Sequence, residues 1–204
     1  MQIGSLLLKL KDRVLGVPFS KMRRDRQISS SHCGPAVLST LFSFLDVYVS
    51  QRKITNSLRV KNKIKKYGVT VPELAKAAKI YGKKNDLLFW KKSKSTISNL
   101  DLIVNKYGYP VGVEWQGVFY EDEDEDNGHY SVVTAINKKL GSIRLFDPYY
   151  KFADTDRKFK IKDFVRRWWD TNLIKGRTIR DERMMFVITP NGVDFPKKLG
   201  MIKG

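Results

Sequence analysis

Apolar residues crowd the stretch after position 32, with Ala36, Val37, Leu38, Leu41, Phe42, Phe44 and Leu45 recurring at helical spacing. The pattern predicts a buried helix over 33–46, opening at Cys33 after the polar approach Gln27-Ile28-Ser29-Ser30-Ser31-His32. Pro35 fits its first turn, where N–H groups have no helical acceptor in any case. Residues 47–67 mix basic and apolar positions and predict helix in part, with the basic side chains facing water. Thr70-Val71-Pro72-Glu73 has the form of a capping box, so a helix is expected over 73–81, stopped at Gly82. Leu87-Leu88-Phe89-Trp90 reads as a strand, and another helix is expected from Thr96 or Ser98 to about Lys106.

The second half of the chain changes period. Residues 110–115 and 129–136 are short runs rich in β-branched side chains, and 142–146 follow the turn Lys139-Leu140-Gly141. The last two runs predict an antiparallel hairpin. Residues 160–169 read as an amphipathic helix with Phe164, Val165, Trp168 and Trp169 inward, and 184–188 as a last strand. Trp115 is expected in the core. Helices first and an antiparallel sheet later make an α+β pattern. Residues 1–16 read as an amphipathic arm, helical over 6–10 at most, and 17–19 as a short extended segment; a single domain is expected over 17–204.

Charge adds a partner class without a function. The net charge is +18, while six of the 21 acidic residues fall in the run 121–126. Such a surface attracts polyanions non-specifically. Basic clusters such as Lys61-Asn62-Lys63-Ile64-Lys65-Lys66 carry no nucleic-acid-binding signature, so a dedicated nucleic-acid function is not expected. One cysteine rules out an intramolecular disulfide framework and suits a reducing compartment. No segment approaches the roughly 20 apolar residues of a membrane span, and a cytoplasmic location is expected. Two histidines and one cysteine have no metal-ligand spacing, and the acidic run lacks the glycine and spacing of a calcium loop, so no metal or cofactor is expected.

The chemistry centres on Cys33. A thiol at a helix start meets unpaired N–H groups and the positive end of the helix dipole, both of which favour the thiolate. A cysteine nucleophile also needs a base, a group that orients the base, and a donor for the developing oxyanion. His129 begins one predicted strand and Asp147 ends its neighbour, so a hairpin would bring both to the same open end. Gln27 shares the loop with Cys33, and its amide and the Cys33 N–H could address one oxyanion. Each residue also has a plainer reading: a buried small hydrophobe for Cys33, a strand-end histidine, an Asp-Pro turn and an exposed loop glutamine. His32 diverges from its neighbour Cys33 at a helix start; it reads as a structural or cleft-lining residue, or as a local positive charge, rather than as the base.

In chain order, Val17-Pro18-Phe19, Gln27, and Cys33-Gly34-Pro35-Ala36-Val37-Leu38 resemble the nucleophile segment of the C39-like cysteine peptidases, a branch of the papain-like fold. Tyr67-Gly68-Val69-Thr70-Val71-Pro72-Glu73-Leu74, Lys106-Tyr107-Gly108-Tyr109-Pro110-Val111, Gly128-His129-Tyr130-Ser131-Val132-Val133 and Leu145-Phe146-Asp147-Pro148 continue the resemblance over roughly 17–188. It implies a papain-like α+β fold whose nucleophile helix packs on a C-terminal antiparallel sheet. It also implies Cys33 as nucleophile, His129 as base and then acid, Asp147 as orienter and Gln27 as oxyanion donor. The implied activity is hydrolysis of a peptide or isopeptide bond in a peptide or protein substrate. The acidic run 121–126 reads first as a solvated loop, and its position just before His129 also allows it to border the cleft and attract basic peptides. His32 departs from the small polar or acidic residue more usual before the family's cysteine. Two rivals remain: a thioester-forming acyltransferase like the phytochelatin synthases, and a non-catalytic papain-like module binding nucleic acid or another polyanion.

Overall fold

The computed structural model describes residues 19–119, 127–174 and 176–204, so the expected arm over 1–16 and the acidic run over 121–126 lie outside the described residues. Helices lead, as α1 (Cys33–Phe44), α2 (Gln51–Leu58), α3 (Lys61–Tyr67) and α4 (Val71–Gly82). Strand β1 (Leu87–Lys92) and helix α5 (Ile97–Asp101) follow, and α5 passes into a π-helical turn over Leu102–Tyr107. Then come β2 (Val111–Gln116), β3 (Gly128–Asn137), β4 (Ser142–Phe146), β5 (Arg157–Lys160), α6 (Ile161–Arg167), β6 (Trp169–Ile174) and β7 (Arg177–Glu182). The chain finishes with β8 (Met185–Pro190), α7 (Phe195–Lys198) and β9 (Ile202–Lys203). Seven strands form one sheet in the order β5-β4-β3-β2-β8-β1-β9, every pairing antiparallel, and β6 and β7 form a separate two-stranded ribbon.

The apolar run after position 32 explains α1. Its residues from Cys33 to Ser43 are all buried, as expected of a helix that is apolar around most of its circumference. It packs on β3 and β2 on one side and on α2 and α4 on the other. The helix ends at Phe44, short of the expected 46. The Leu45 and Val47 N–H groups both fold back to Phe42 O, and Asp46 enters the left-handed region with φ 60°. At the start of α4 the Glu73 carboxylate accepts the Thr70 backbone N–H at 2.8 Å and its hydroxyl at 3.0 Å, the reciprocal arm of the expected capping box.

Several boundaries correct the sequence reading. Helix α4 runs through Gly82 into a 3-10 turn, and the left-handed residue is Asp86 with φ 52°. A Cβ at Gly82 would lie 2.8 Å from Leu87 O, so close approach to β1 accounts for the glycine rather than a cap. Phe164 in α6 and Trp168 just after it are buried but Val165 is 37% exposed, and Trp169 opens β6, where the Arg180 guanidinium stacks on it at 4.1 Å. The extended segment over 17–19 meets the described residues only at Phe19, which sits in a turn with φ 55°. The strand at 184–188 is not the last, because β9 adds to the sheet edge against β1. Among the described residues no helix is long and apolar enough to cross a membrane.

The centre of the sheet is packed tightly enough to dictate residue size. Gly112 on β2 lies opposite Phe186 on β8, and a Cβ there would fall 2.2–2.8 Å from the Phe186 ring. That ring is fully buried and stacked on Phe89, so it has no free volume into which to move. Gly112→Ala is therefore expected to destabilise the protein by about 1–3 kcal/mol through overpacking, read as a lowered denaturant midpoint with unchanged slope.

Candidate active site

Cys33 is the first residue of α1 and is 8% exposed. The residue after it has to be glycine. A Cβ at position 34 would lie 2.6 Å from Val69 Cγ2 and 3.2 Å from Tyr130 Cδ2, so the first turn of α1 is pressed against both the loop before α4 and strand β3. Here the start of the helix meets the strand that carries His129.

The hairpin of β3 and β4 brings the second pair together, through an irregularity in its register. Ile136 pairs with Ile143 and Ala135 with Arg144, but after a one-residue shift Val133 pairs with Leu145 and Val132 with Phe146. Had the first register continued, Asp147 would stand level with Val132, on the opposite face of the sheet from His129. The shift sets it level with Ser131, two residues along β3 from His129 and therefore on the same face. Thr134, the residue taken up in the shift, bonds through its hydroxyl to Asp156 Oδ2 at 2.7 Å.

His129 Nε2 and Asp147 Oδ1 are 2.8 Å apart, and both side chains are buried. With Nε2 occupied, Nδ1 is the nitrogen left to face Cys33, which also acts to raise the pKa of the imidazole. Burial disfavours the imidazolium. The charges of Asp147 and Cys33 and their hydrogen bonds to the ring outweigh it, and His129 is pushed up to about 10. Phe119 packs edge-on against the ring with centroids 5.0 Å apart and against Tyr149 at 4.8 Å, closing the imidazole off from water.

Asp147 is fully buried and depends on its donors. Its own desolvation would raise its pKa, but His129, the Tyr149 N–H at 3.0 Å and Arg157 Nη1 at 2.7 Å hold it below the usual carboxylate value. Arg157 went unnoticed in the sequence. From edge strand β5 it spans to Asp147 Oδ2 and, through Nη2, to Val118 O at 2.7 Å, with its guanidinium 3.7 Å from the Phe152 ring centroid. Its only sequence signal was its place in the basic stretch Arg157-Lys158-Phe159-Lys160, which reads equally well as solvated surface.

Gln27 lies beside the same corner. Its backbone N–H donates to Pro148 O at 2.9 Å, one residue past Asp147. Its side chain is buried, with Nε2 donating to Ser29 O at 2.7 Å and Oε1 buried without a partner among the described residues. His32 takes the remaining expectation in another direction: Nδ1 lies 2.6 Å from Ser29 Oγ, and burial lowers its pKa, so it does not add positive charge at neutral pH. A cavity of about 220 Å³ lies between α3, Thr70 and the β6–β7 ribbon. Lys63, Tyr67, Thr70, Thr171, Asn172 and Thr178 line it, a polar set whose lysine is held on Glu73 at 2.6 Å. Among the described residues no group of three or more His, Cys, Asp or Glu could hold a metal ion.

A leading helical part whose central helix starts at a cysteine and packs on an antiparallel sheet is the papain-like α+β arrangement. The chain belongs to the peptidase C39-like family, whose model matches residues 15–173. The peptidase domain of Streptococcus ComA, a bi-functional ABC transporter involved in a quorum sensing pathway, has a similar fold, with a TM-score of 0.55 at 20% identity over 82% of this chain and 97% of that one. A double glycine motif protease from an AMS/PCAT transporter, solved with its leader peptide, matches with a TM-score of 0.49 at 16% identity over 85% of this chain and 98% of that one. A search of curated proteins returns no match.

Removing Arg157 tests how far Asp147 relies on it. Arg157→Met leaves a buried carboxylate short of a cationic partner and is expected to cost about 2–4 kcal/mol at neutral pH. The depressed folded-state pKa of Asp147 contributes stability that is present above the unfolded carboxylate value and lost as pH falls through the folded one. The variant should therefore lose stability less steeply on acidification than the wild type, measured by thermal melts across the acid range.

Proposed function

We propose that the protein is a cysteine peptidase that cleaves a peptide or isopeptide bond through a thioester on Cys33. The observation that supports this reading is the buried His129–Asp147 pair, with Nε2 2.8 Å from Oδ1, on an imidazole that Cys33 also influences. In this mechanism His129 holds the thiol proton as an imidazolium paired with the Cys33 thiolate, and the thiolate sulfur attacks the carbonyl carbon. The C–N bond then breaks as the imidazolium returns its proton to the leaving amine. Water attacks the thioester with His129 accepting its proton, and collapse releases the carboxylic acid and the thiol.

Asp147 keeps the imidazole in one tautomer and orientation and stabilises the imidazolium. The Cys33 N–H, in a first turn with no helical acceptor, and the second amide hydrogen of Gln27 Nε2 are the proposed oxyanion donors. The peptidase unit is taken to span 17–204. Although the family match stops at 173, β8 pairs with both β2 and β1, and β9 pairs with β1. The substrate is proposed to be a peptide or protein with basic character. The acidic run connects β2 to β3, and its flanking residues Gln116 and Gly128 pair beside Trp115 and His129.

Cys33→Ala or His129→Ala should abolish turnover of a peptide library and labelling by an electrophilic cysteine probe. Asp147→Asn should lower kcat about 10²–10⁴-fold. Full activity in Cys33→Ala would refute the mechanism, and product formed only with added thiol acceptors would assign acyl transfer instead. Replacing all six residues of 121–126 by Ser or Gln should lower the preference for Lys/Arg-rich over acidic peptides about 3- to 10-fold at low salt. An unchanged preference refutes the substrate assignment.

A further inference from the structure

A second buried carboxyl stands next to the nucleophile turn and takes no part in the mechanism above. Glu114 on β2 is 1% exposed and lies opposite Tyr130 in the β2–β3 pairing. Its Oε1 is 2.5 Å from the Tyr130 hydroxyl and 3.1 Å from Asn172 Nδ2, while Oε2 is buried without a partner among the described residues. The same Tyr130 hydroxyl is 3.0 Å from Val69 O.

Counting hydrogens decides the protonation state. A phenol carries one proton, and the Val69 carbonyl can only accept. Both short contacts are hydrogen bonds only if the Tyr130 proton goes to Val69 and Glu114 supplies a proton of its own to the Tyr130 oxygen. The chain then runs from Glu114 Oε1–H to Tyr130 Oη–H to Val69 O, with Asn172 donating to Glu114. An ionised Glu114 would claim the Tyr130 proton for a charge-assisted bond and leave the Val69 carbonyl without its donor. It would also leave half of an anion, Oε2, unpartnered and away from water, which costs more than leaving the carbonyl of a neutral acid there.

The surroundings oppose ionisation. Desolvation and the charge of Asp181 push Glu114 up to about 7, against the lowering by its bonds to Tyr130 and Asn172. The groups around this pair are Cys33 from α1, Tyr130 from β3, Asp170 from β6 and Asp181 from β7, and the charged ones are all potential anions. Lys91 of β1 acts on Asp181, and Lys63 of α3 lines the cavity beside Asn172 but is held on Glu73.

The chain of bonds matters because of what it seats. Val69 and the Tyr130 ring are the two groups that press on Gly34, the residue after Cys33. We propose that Glu114 is a positioning residue that works as a neutral acid, seating the Cys33–Gly34 turn through Tyr130 and Val69, and that loss of its proton loosens the seat. The role of Cys33 as nucleophile is taken from the peptidase reading, but the position of the turn can be measured without any substrate.

The test is the rate of Cys33 alkylation by iodoacetamide across pH in the wild type and in Glu114→Gln, whose amide stays neutral and can still donate to Tyr130. Loosening draws the thiol away from the helix N-terminus and His129 and lowers its thiolate fraction. The ratio of variant to wild-type rate is therefore expected to be near one at about pH 6 and to rise about 3- to 10-fold by about pH 8.5, with its midpoint near Glu114's value of about 7. A ratio that stays constant with pH, or that falls as greater access would give, overturns the proposal. An infrared pH-difference spectrum of the wild type gives a second reading that does not depend on how the variant folds. It should show a protonated carboxylic-acid band at about pH 6 that is lost over the same range, and a carboxyl already ionised there also overturns the proposal. If the ratio rises as expected while no peptide is cleaved, the peptidase reading fails and the seating role stands.

Discussion

Asp147 has no contact with water, yet it is held as a carboxylate, and much of this corner of the protein exists to satisfy it. Its two oxygens take hydrogen bonds from His129, the Tyr149 backbone and Arg157, which come from β3, the loop after β4 and β5. An isolated carboxylate in such surroundings would protonate. Three donors, one of them a cation stacked between aromatic rings, keep the charge in place. The proton that His129 holds is the counterpart of that charge. The imidazole is buried with Phe119 edge-on against it, and without the Asp147 carboxylate burial would drive it neutral.

A second constraint is steric. The Cys33–Gly34 turn touches Val69 and Tyr130 closely enough that only a glycine fits, and Tyr130 is anchored in turn by Val69 O and Glu114. The start of the helix, the loop before α4 and the centre of the sheet thus meet at one residue. Fixing the cysteine relative to the histidine takes both arrangements: donors that set the imidazole from the β4–β5 side, and packing that sets the thiol from the β2–β3 side.

Elements with a strong pattern were legible. The apolar run from Ala36 to Leu45 could only be a buried helix, Thr70 to Glu73 announced the start of α4, and the β-branched runs around Val113, Val132 and Ile143 gave the three central strands. Strands β5, β6, β7 and β9 were missed because they are short or edge strands whose residues are largely charged or polar, with no alternation to show a buried face. Val165 was placed inward because it extends an apolar stretch, but α6 is too short to bury more than the Phe164 face. Arg157 and Glu114 carried no local signal. One sits among other basic residues and the other in an otherwise apolar strand, and each matters only through what lies across from it.

The sequence by itself determined which side chains were available and in what order: a thiol at a helix start, a histidine opening one strand, an aspartate closing the next, and a glutamine in the approach to the thiol. Order along the chain brings His129 and Asp147 to one end of a hairpin, but not to one face. The tertiary structure decided the face, through a one-residue shift at Thr134 that turns Asp147 toward His129. Side chains alternate with a period of two, so a slip of one residue reverses every later position, and composition does not record it. The donors around Asp147 and the seat around Gly34 were settled in the same way, by contacts between segments far apart in the chain.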